Sequence, residues 1–129
     1  LLVAAVDADG TVEICDAGHG HVFRVGAGGA EYVELPTESG GFVVGAMPDS
    51  GYSSMRLQLA AGERLVLVTD GVRESKSPLG EEFGAARVLE ALCGEGGVGD
   101  DVARLHDSVH RFAAGVREDD LTILSVGRA

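Results

Sequence analysis

Alternating apolar and polar positions run through the first seventy residues of this 129-residue chain and predict a series of short β-strands. The clearest alternation covers 54–59, where Met55, Leu57 and Leu59 share one face of the strand. The segment 65–68 is apolar at every position, which predicts an interior strand with both faces covered. The predicted strands are 1–6, 11–15, 21–25, 30–35, 54–59, 65–68 and 121–126.

Helical periodicity begins only after residue 80. Apolar residues three and four positions apart predict one helix over about 83–92 and a second over about 100–113. Asp100 and Asp101 fall at the start of the second helix, where acidic side chains cap backbone N–H groups and interact favourably with the helix dipole. Gly115 suits the C-terminal end of the same helix.

Composition and charge narrow the classes of partner. The formal net charge is −11, and the ten Lys and Arg residues are scattered, so the sequence argues against nucleic acid and anionic membrane surfaces as partners. No apolar run approaches the roughly 20 residues of a membrane span, which argues against membrane insertion. Cys15 and Cys93 fall in different predicted elements and suggest no disulfide framework, so we expect a cytoplasmic protein.

Aspartates lie at the ends of two predicted interior strands. Asp70 directly follows one strand, and Asp119 and Asp120 directly precede the other. If these strands are antiparallel neighbours, the three carboxylates meet at one rim, where a divalent cation would offset their repulsion. A two-metal hydrolase is one outcome of such a rim, although each aspartate taken alone also fits an ordinary turn.

Four short segments, which occur in a characteristic order along the chain, support the interpretation of these aspartates as a metal site. They are Asp16-Ala17-Gly18-His19, Gly40-Gly41-Phe42-Val43-Val44-Gly45, Thr69-Asp70-Gly71-Val72-Arg73-Glu74 and Asp119-Asp120-Leu121-Thr122. Their order and spacing resemble the PPM-type metal-dependent serine/threonine protein phosphatases, in particular the bacterial branch of stage II sporulation protein E and the sigma-regulator phosphatases. The likeness extends over essentially the whole chain.

The resemblance implies an α+β fold, a two-sheet antiparallel β-sandwich flanked by helices, of which 1–129 would form the C-terminal part of a single phosphatase domain. It implies that Asp70 and Asp119 are metal ligands, with Gly71, Asp120 and Glu74 beside them, and that no catalytic residue is needed beyond the ligands. Two Mn²⁺ or Mg²⁺ ions would activate a water that hydrolyses phosphoserine or phosphothreonine on a regulatory protein, such as an anti-anti-sigma-type factor.

The chain also departs from the family pattern. The first metal motif of the family, which supplies a bridging aspartate, lies upstream of the matched region, so we expect the segment alone to be inactive. Asp16 replaces the usual Asn, and Val43 stands where the family often has Pro. Neither change touches a presumed ligand.

Other interpretations stay open at this point. A non-catalytic phosphatase-like regulatory or scaffolding module, or a simple cation-binding module, would fit the same residues. His19 suits a packing role, and His106 and His110 suit a solvated helix face. Glu74 could orient a metal-bound water or form a surface ion pair with Arg73 or Lys76. The apolar strand 1–6 predicts self-association of the segment, with a homo-oligomer as one form.

Overall fold

The computed structural model describes residues 1–18, 20–36, 43–46, 51–115 and 120–128. Within these ranges every predicted strand and both predicted helices are present, with ends shifted by at most three residues. A short additional helix directly follows the sixth strand. In chain order the elements are β1 (Leu2–Val6), β2 (Thr11–Asp16), β3 (Val22–Gly26), β4 (Gly29–Tyr32), β5 (Ser54–Gln58), β6 (Arg64–Val68), α1 (Asp70–Arg73), α2 (Gly84–Leu92), α3 (Val98–Phe112) and β7 (Ile123–Gly127).

The strands form two antiparallel sheets. One sheet has the order β1-β2-β5 and the other has the order β4-β3-β6-β7. Hairpins join β1 to β2 and β3 to β4, but β2 pairs next with β5, and β3 pairs next with β6. The chain therefore passes from one sheet to the other and back.

Two tight turns with glycine at positive φ close the hairpins. In the first hairpin the Gly10 N–H donates to the Asp7 carbonyl, and Gly10 has φ of +89°. In the second hairpin Gly26 pairs with Gly29, whose φ is +112°. Residues with a Cβ adopt these angles only with strain, so glycine is required at both positions.

Strand β6 contributes to two hydrophobic cores, as its uninterrupted apolar sequence predicts. Leu65 belongs to the core between the two sheets, together with Val12, Ile14, Val22 and Leu59. The alternate residues Val66 and Val68 belong to a second core on the opposite face, beneath α2 and α3. Both faces of the strand are therefore excluded from water, and each fully buried side chain contributes about 1.5–3 kcal/mol through the hydrophobic effect.

The helices cover the outer face of the four-stranded sheet. Helix α3 packs on β7, and α2 packs on β4 and on α3. Phe83, just before α2, and Phe112, at the end of α3, meet edge to face with ring centroids 5.3 Å apart. The predicted α+β class, a two-sheet antiparallel sandwich with flanking helices, is confirmed.

At the start of α3, one of the two aspartates that the sequence interprets as capping residues has a different role. Asp100 does cap the helix, since its carboxylate accepts a hydrogen bond from the Gly97 N–H at 2.8 Å. Asp101 has a different role, because its side chain is fully buried. It accepts from Arg64 at 2.6 and 3.1 Å and from Arg104 at 2.9 Å. Asp101 therefore anchors the first turn of α3 to the sheet.

Candidate metal centre

Helix α1 places Asp70 at the end of an interior strand. Thr69 precedes the helix in an extended conformation, and Asp70 is its first residue. The helix is a single turn, held by the Glu74 N–H donating to the Asp70 carbonyl at 2.8 Å. Val72 is fully buried in the core under the helices, whereas 59% of the Asp70 side chain is exposed. The buried valine thus fixes the turn, and the turn presents the aspartate at the surface.

The end of β6 and the beginning of β7 meet at one edge of the sheet. The two strands are antiparallel neighbours, with Val68 opposite Ile123. Beyond that pair the Thr69 N–H donates to the Thr122 carbonyl at 3.1 Å, and the Thr122 N–H donates to the Thr69 hydroxyl at 3.0 Å. The Thr69 hydroxyl also lies 3.4 Å from the Asp120 carbonyl oxygen. The predicted pairing of β6 with β7 is therefore confirmed. Asp70 follows β6 and Asp120 lies before β7, so both residues lie at the same edge of the sheet.

A histidine just before a third strand contacts the same aspartate. His21 directly precedes β3, and its carbonyl accepts the Val68 N–H at 3.1 Å. Its ring Nε2 lies 2.8 Å from Asp70 Oδ1. Arg73 Nη1 lies 2.8 Å from Nδ1 of the same ring and 3.1 Å from Nε2. The rim therefore carries positively charged and donor groups that the pattern of aspartates alone does not predict.

The His21 ring lies between a donor group and an acceptor group. A guanidinium group only donates hydrogen bonds, and an ionised carboxylate only accepts them. A ring with its proton on Nε2 would donate to Asp70 and would accept from Arg73 at Nδ1, the nearer of the two ring nitrogens to Arg73 Nη1.

The remaining predicted site residues have different surroundings. Gly71 is buried inside α1, and its carbonyl accepts a hydrogen bond from the Ser75 hydroxyl at 2.5 Å. Glu74 is exposed directly after α1, and Asp120 is exposed before β7. Arg73, one predicted partner of Glu74, contacts His21. Asp119, the second predicted ligand, lies outside the described residues.

The sequence also singles out three further histidines and both cysteines. His106 and His110 stack on α3 with ring centroids 6.2 Å apart, and His106 lines a groove with Leu121 and Ile123 at the start of β7. Cys15 is half-buried and Cys93 is exposed, and both are free thiols. His19 is outside the described ranges.

The donors at the edge fit a hard divalent cation in kind. Carboxylate oxygens are the ligands that Mn²⁺ and Mg²⁺ prefer, and Asp70 and Asp120 present them at an exposed edge. Among the residues that the structure describes, no group of three or more His, Cys, Asp and Glu side chains could hold a metal ion. A complete coordination sphere therefore requires donors beyond these two, and the sequence predicts Asp119 as one of them.

Sequence reasoning missed His21 as part of this edge. The sequence predicts only that His21 begins a strand, and its partner Arg73 lies 52 positions away along the chain. Residue periodicity cannot reveal a contact of this kind, because it depends on the pairing of β3 with β6. The order of strands in the sheet would have been the only signal.

The whole sequence matches a described protein family. The family model described as "Stage II sporulation protein E (SpoIIE)" matches residues 1–129. The curated Protein IcfG of Synechocystis sp. is 28% identical over 131 residues, which cover 99% of this chain and 20% of that protein. The chain thus spans about a fifth of the length of this relative.

Solved structures show the same fold. The phosphatase domain of SpoIIE from Bacillus subtilis, presoaked with Mn, has a TM-score of 0.76 at 18% identity, covering 99% of this chain and 56% of that one. A Mycobacterium tuberculosis structure of RsbU and RsbW domains has a TM-score of 0.67 at 26% identity, covering 98% of this chain and 35% of that one. The serine/threonine phosphatase PstP of M. tuberculosis has a TM-score of 0.60 at 16% identity, covering 92% of this chain and 55% of that one.

Proposed function

The chain belongs to the stage II sporulation protein E family of PPM-type phosphatases, and from that premise we propose that it forms part of a metal-dependent protein serine/threonine phosphatase. The reaction is hydrolysis of phosphoserine or phosphothreonine on a regulatory protein, with an anti-anti-sigma-type factor as the class of substrate. One observation carries the proposal beyond family membership: the pairing of β6 with β7 brings the Asp70 and Asp120 positions to a single exposed edge.

In this proposal Asp70 and Asp119 are the metal ligands, and Asp120, Gly71 and Glu74 lie beside them. The chemistry that bound Mn²⁺ or Mg²⁺ would supply is a lowered pKa of water and compensation of charge on the phosphoryl oxygens. The chain's own residues hold the carboxylates in place. Buried Val72 fixes the turn of α1, and the bonds of Thr69 to Thr122 fix the approach to β7.

We further propose that residues 1–129 are the C-terminal part of one phosphatase domain. The structural match covers 99% of this chain but 56% of the B. subtilis phosphatase domain structure. The family's first metal motif, which supplies a bridging aspartate, is expected upstream of the matched region. Both points support an active site that needs additional chain, so the segment alone should lack activity.

Charge supports a protein substrate over nucleic acid, because a chain with net charge −11 repels a polyanion. Within the described ranges no helix is long and apolar enough to cross a membrane. The two free thiols suit a reducing compartment, and we propose a cytoplasmic location in bacterial signal transduction.

A non-catalytic phosphatase-like module is the second candidate. It stays open because the bridging aspartate of the family's first metal motif is expected upstream of residues 1–129. Such a module would keep the fold and would bind a partner, but it would not turn over a phosphoprotein.

Activity of the complete domain separates these candidates. We expect the protein with its complete phosphatase domain to hydrolyse a phosphoserine protein or p-nitrophenyl phosphate in Mn²⁺, and Asp70→Asn to reduce kcat at least a hundredfold, roughly the loss of one transition-state-stabilising group. Asp9→Asn, in the exposed turn between β1 and β2, is the matched control. Turnover that persists in excess EDTA would contradict metal-assisted hydrolysis, and no turnover under any metal would favour the non-catalytic module.

A further inference from the structure

The contact between His21 and Asp70 joins an enclosed ring to an open carboxylate. Nε2 of His21 lies 2.8 Å from Asp70 Oδ1. The His21 side chain is 16% exposed, whereas that of Asp70 is 59% exposed. The ring is therefore the fixed member of the pair, and it determines the direction in which the carboxylate points.

The position of the ring is fixed from two further directions. Its backbone is tied to β6, because the His21 carbonyl accepts the Val68 N–H at 3.1 Å. Its Nδ1 faces Arg73 Nη1 at 2.8 Å. The same Nη1 lies 3.1 Å from Nε2. Since an arginine cannot accept a hydrogen bond, a ring that donates from Nε2 to Asp70 accepts from Arg73 at Nδ1. Strand β3, strand β6 and helix α1 together define the geometry of the donor.

We propose that His21, supported by Arg73, is a positioning residue for Asp70 and holds Oδ1 so that the second carboxylate oxygen faces the metal. This inference rests on the proposed function, in which Asp70 is a metal ligand. Carboxylates that bind metals are commonly oriented by such hydrogen bonds, and loss of the orienting partner weakens metal affinity about 10- to 100-fold.

The opposite effect, competition between His21 and the metal, is less consistent with the geometry. An ionised carboxylate has two oxygens with about four acceptor sites, and the contact to Oδ1 uses one of them. The remaining sites suffice for a cation. A competitor would also lower the metal affinity of the wild-type protein, so its removal would strengthen binding. The sign of the change in affinity therefore distinguishes positioning from competition.

The test is the Mn²⁺ dissociation constant of the protein with its complete phosphatase domain, measured by isothermal titration calorimetry. We expect His21→Ala to weaken Mn²⁺ binding about 10- to 100-fold. His21→Gln should recover most of the affinity, because the glutamine amide nitrogen can occupy the position of Nε2. His21→Asn, whose amide is one bond shorter, should stay weak. His110→Ala, an exposed histidine on α3, is the matched control and should bind as the wild type does.

Unchanged or tighter Mn²⁺ binding by His21→Ala would overturn the positioning role. If His21→Ala does not fold, the comparison of His21→Gln with His21→Asn decides, and equal affinities of these two polar variants would overturn it. Failure of the proposed function gives a different result: the wild type itself would bind no Mn²⁺, and both proposals would fall together. If the wild type binds Mn²⁺, Asp70→Asn loses it and the His21 variants keep it, the positioning role alone is wrong.

Discussion

The buried carboxylate of Asp101 is the interaction whose loss we expect to destabilise the fold most clearly. Its two oxygens accept from Arg64 at 2.6 and 3.1 Å, from Arg104 at 2.9 Å and from the Ser125 hydroxyl at 2.9 Å. The Asp101 side chain is fully buried, and that of Arg64 is 11% exposed. The substitution Asp101→Asn keeps the shape of the side chain and removes its charge.

The expected loss follows from what the variant leaves behind. Removal of one partner from a buried ion pair costs about 3–5 kcal/mol, because the other charge stays buried without compensation. Arg104 is 30% exposed and can turn toward water, whereas Arg64 cannot, so we expect the lower end, about 3 kcal/mol. For a domain of about 150–250 residues this lowers the Tm by roughly 6–12 °C.

Urea denaturation followed by circular dichroism measures this loss in the protein with its complete phosphatase domain. Asp100→Asn is the matched control, because Asp100 is the preceding residue but is exposed and caps the helix. Asp100→Asn should lower the free energy of unfolding by less than about 1 kcal/mol, since asparagine also accepts the capping hydrogen bond. Equal losses for the two variants, or a loss below about 1 kcal/mol for Asp101→Asn, would refute the anchoring role of Asp101.

Two further expectations concern the 129-residue segment and its pH dependence. Expressed alone, the segment should self-associate, because β1 is an edge strand in which Val3 is 56% exposed. A monodisperse monomer with a cooperative thermal transition would show that the segment is a complete domain. Hydrogen bonds from Arg24 and the Ala60 N–H hold the pKa of Glu63 below its ordinary value of 4.5. The ionised carboxylate therefore stabilises the fold above pH 4.5, and this stabilisation is lost as the pH falls through the lower pKa of the folded state. Glu63→Gln should therefore lessen the loss of stability on acidification below about pH 4.5, and identical acid profiles for variant and wild type, from urea midpoints, would show that the contact is weak.

Local pattern was sufficient to predict the strands and the two longer helices, and the resemblance to the phosphatase family implied the class of fold. The alternation at 54–59 and the continuous apolar run at 65–68 predicted strands of the right kind, because side-chain periodicity reports how many faces of a strand are buried. The sequence also predicted that Asp70 lies near the residues before β7, on the condition that β6 pairs with β7. Asp119 stays a prediction as a ligand.

Contacts between distant segments were not predictable in the same way. Asp101 pairs with Arg64 across 37 positions, and both Asp100 and Asp101 have the residue type and position of a helix-capping residue. The one available signal was its spacing of four from Leu105, which places it on the buried face of α3. The histidine that contacts Asp70 was missed because the strand order, and not local composition, brings β3 beside β6.

Metal-induced stabilisation of the complete phosphatase domain tests the central claim most directly. A cation that binds the folded state raises its stability by about 2.7 kcal/mol at a hundredfold excess over Kd. Differential scanning calorimetry should show this rise in Mn²⁺ for the wild type and for the control Asp9→Asn, and its near loss in Asp70→Asn and Asp119→Asn. If Asp70→Asn retains the full Mn²⁺-induced shift, Asp70 is a turn residue and the metal centre does not lie at this edge.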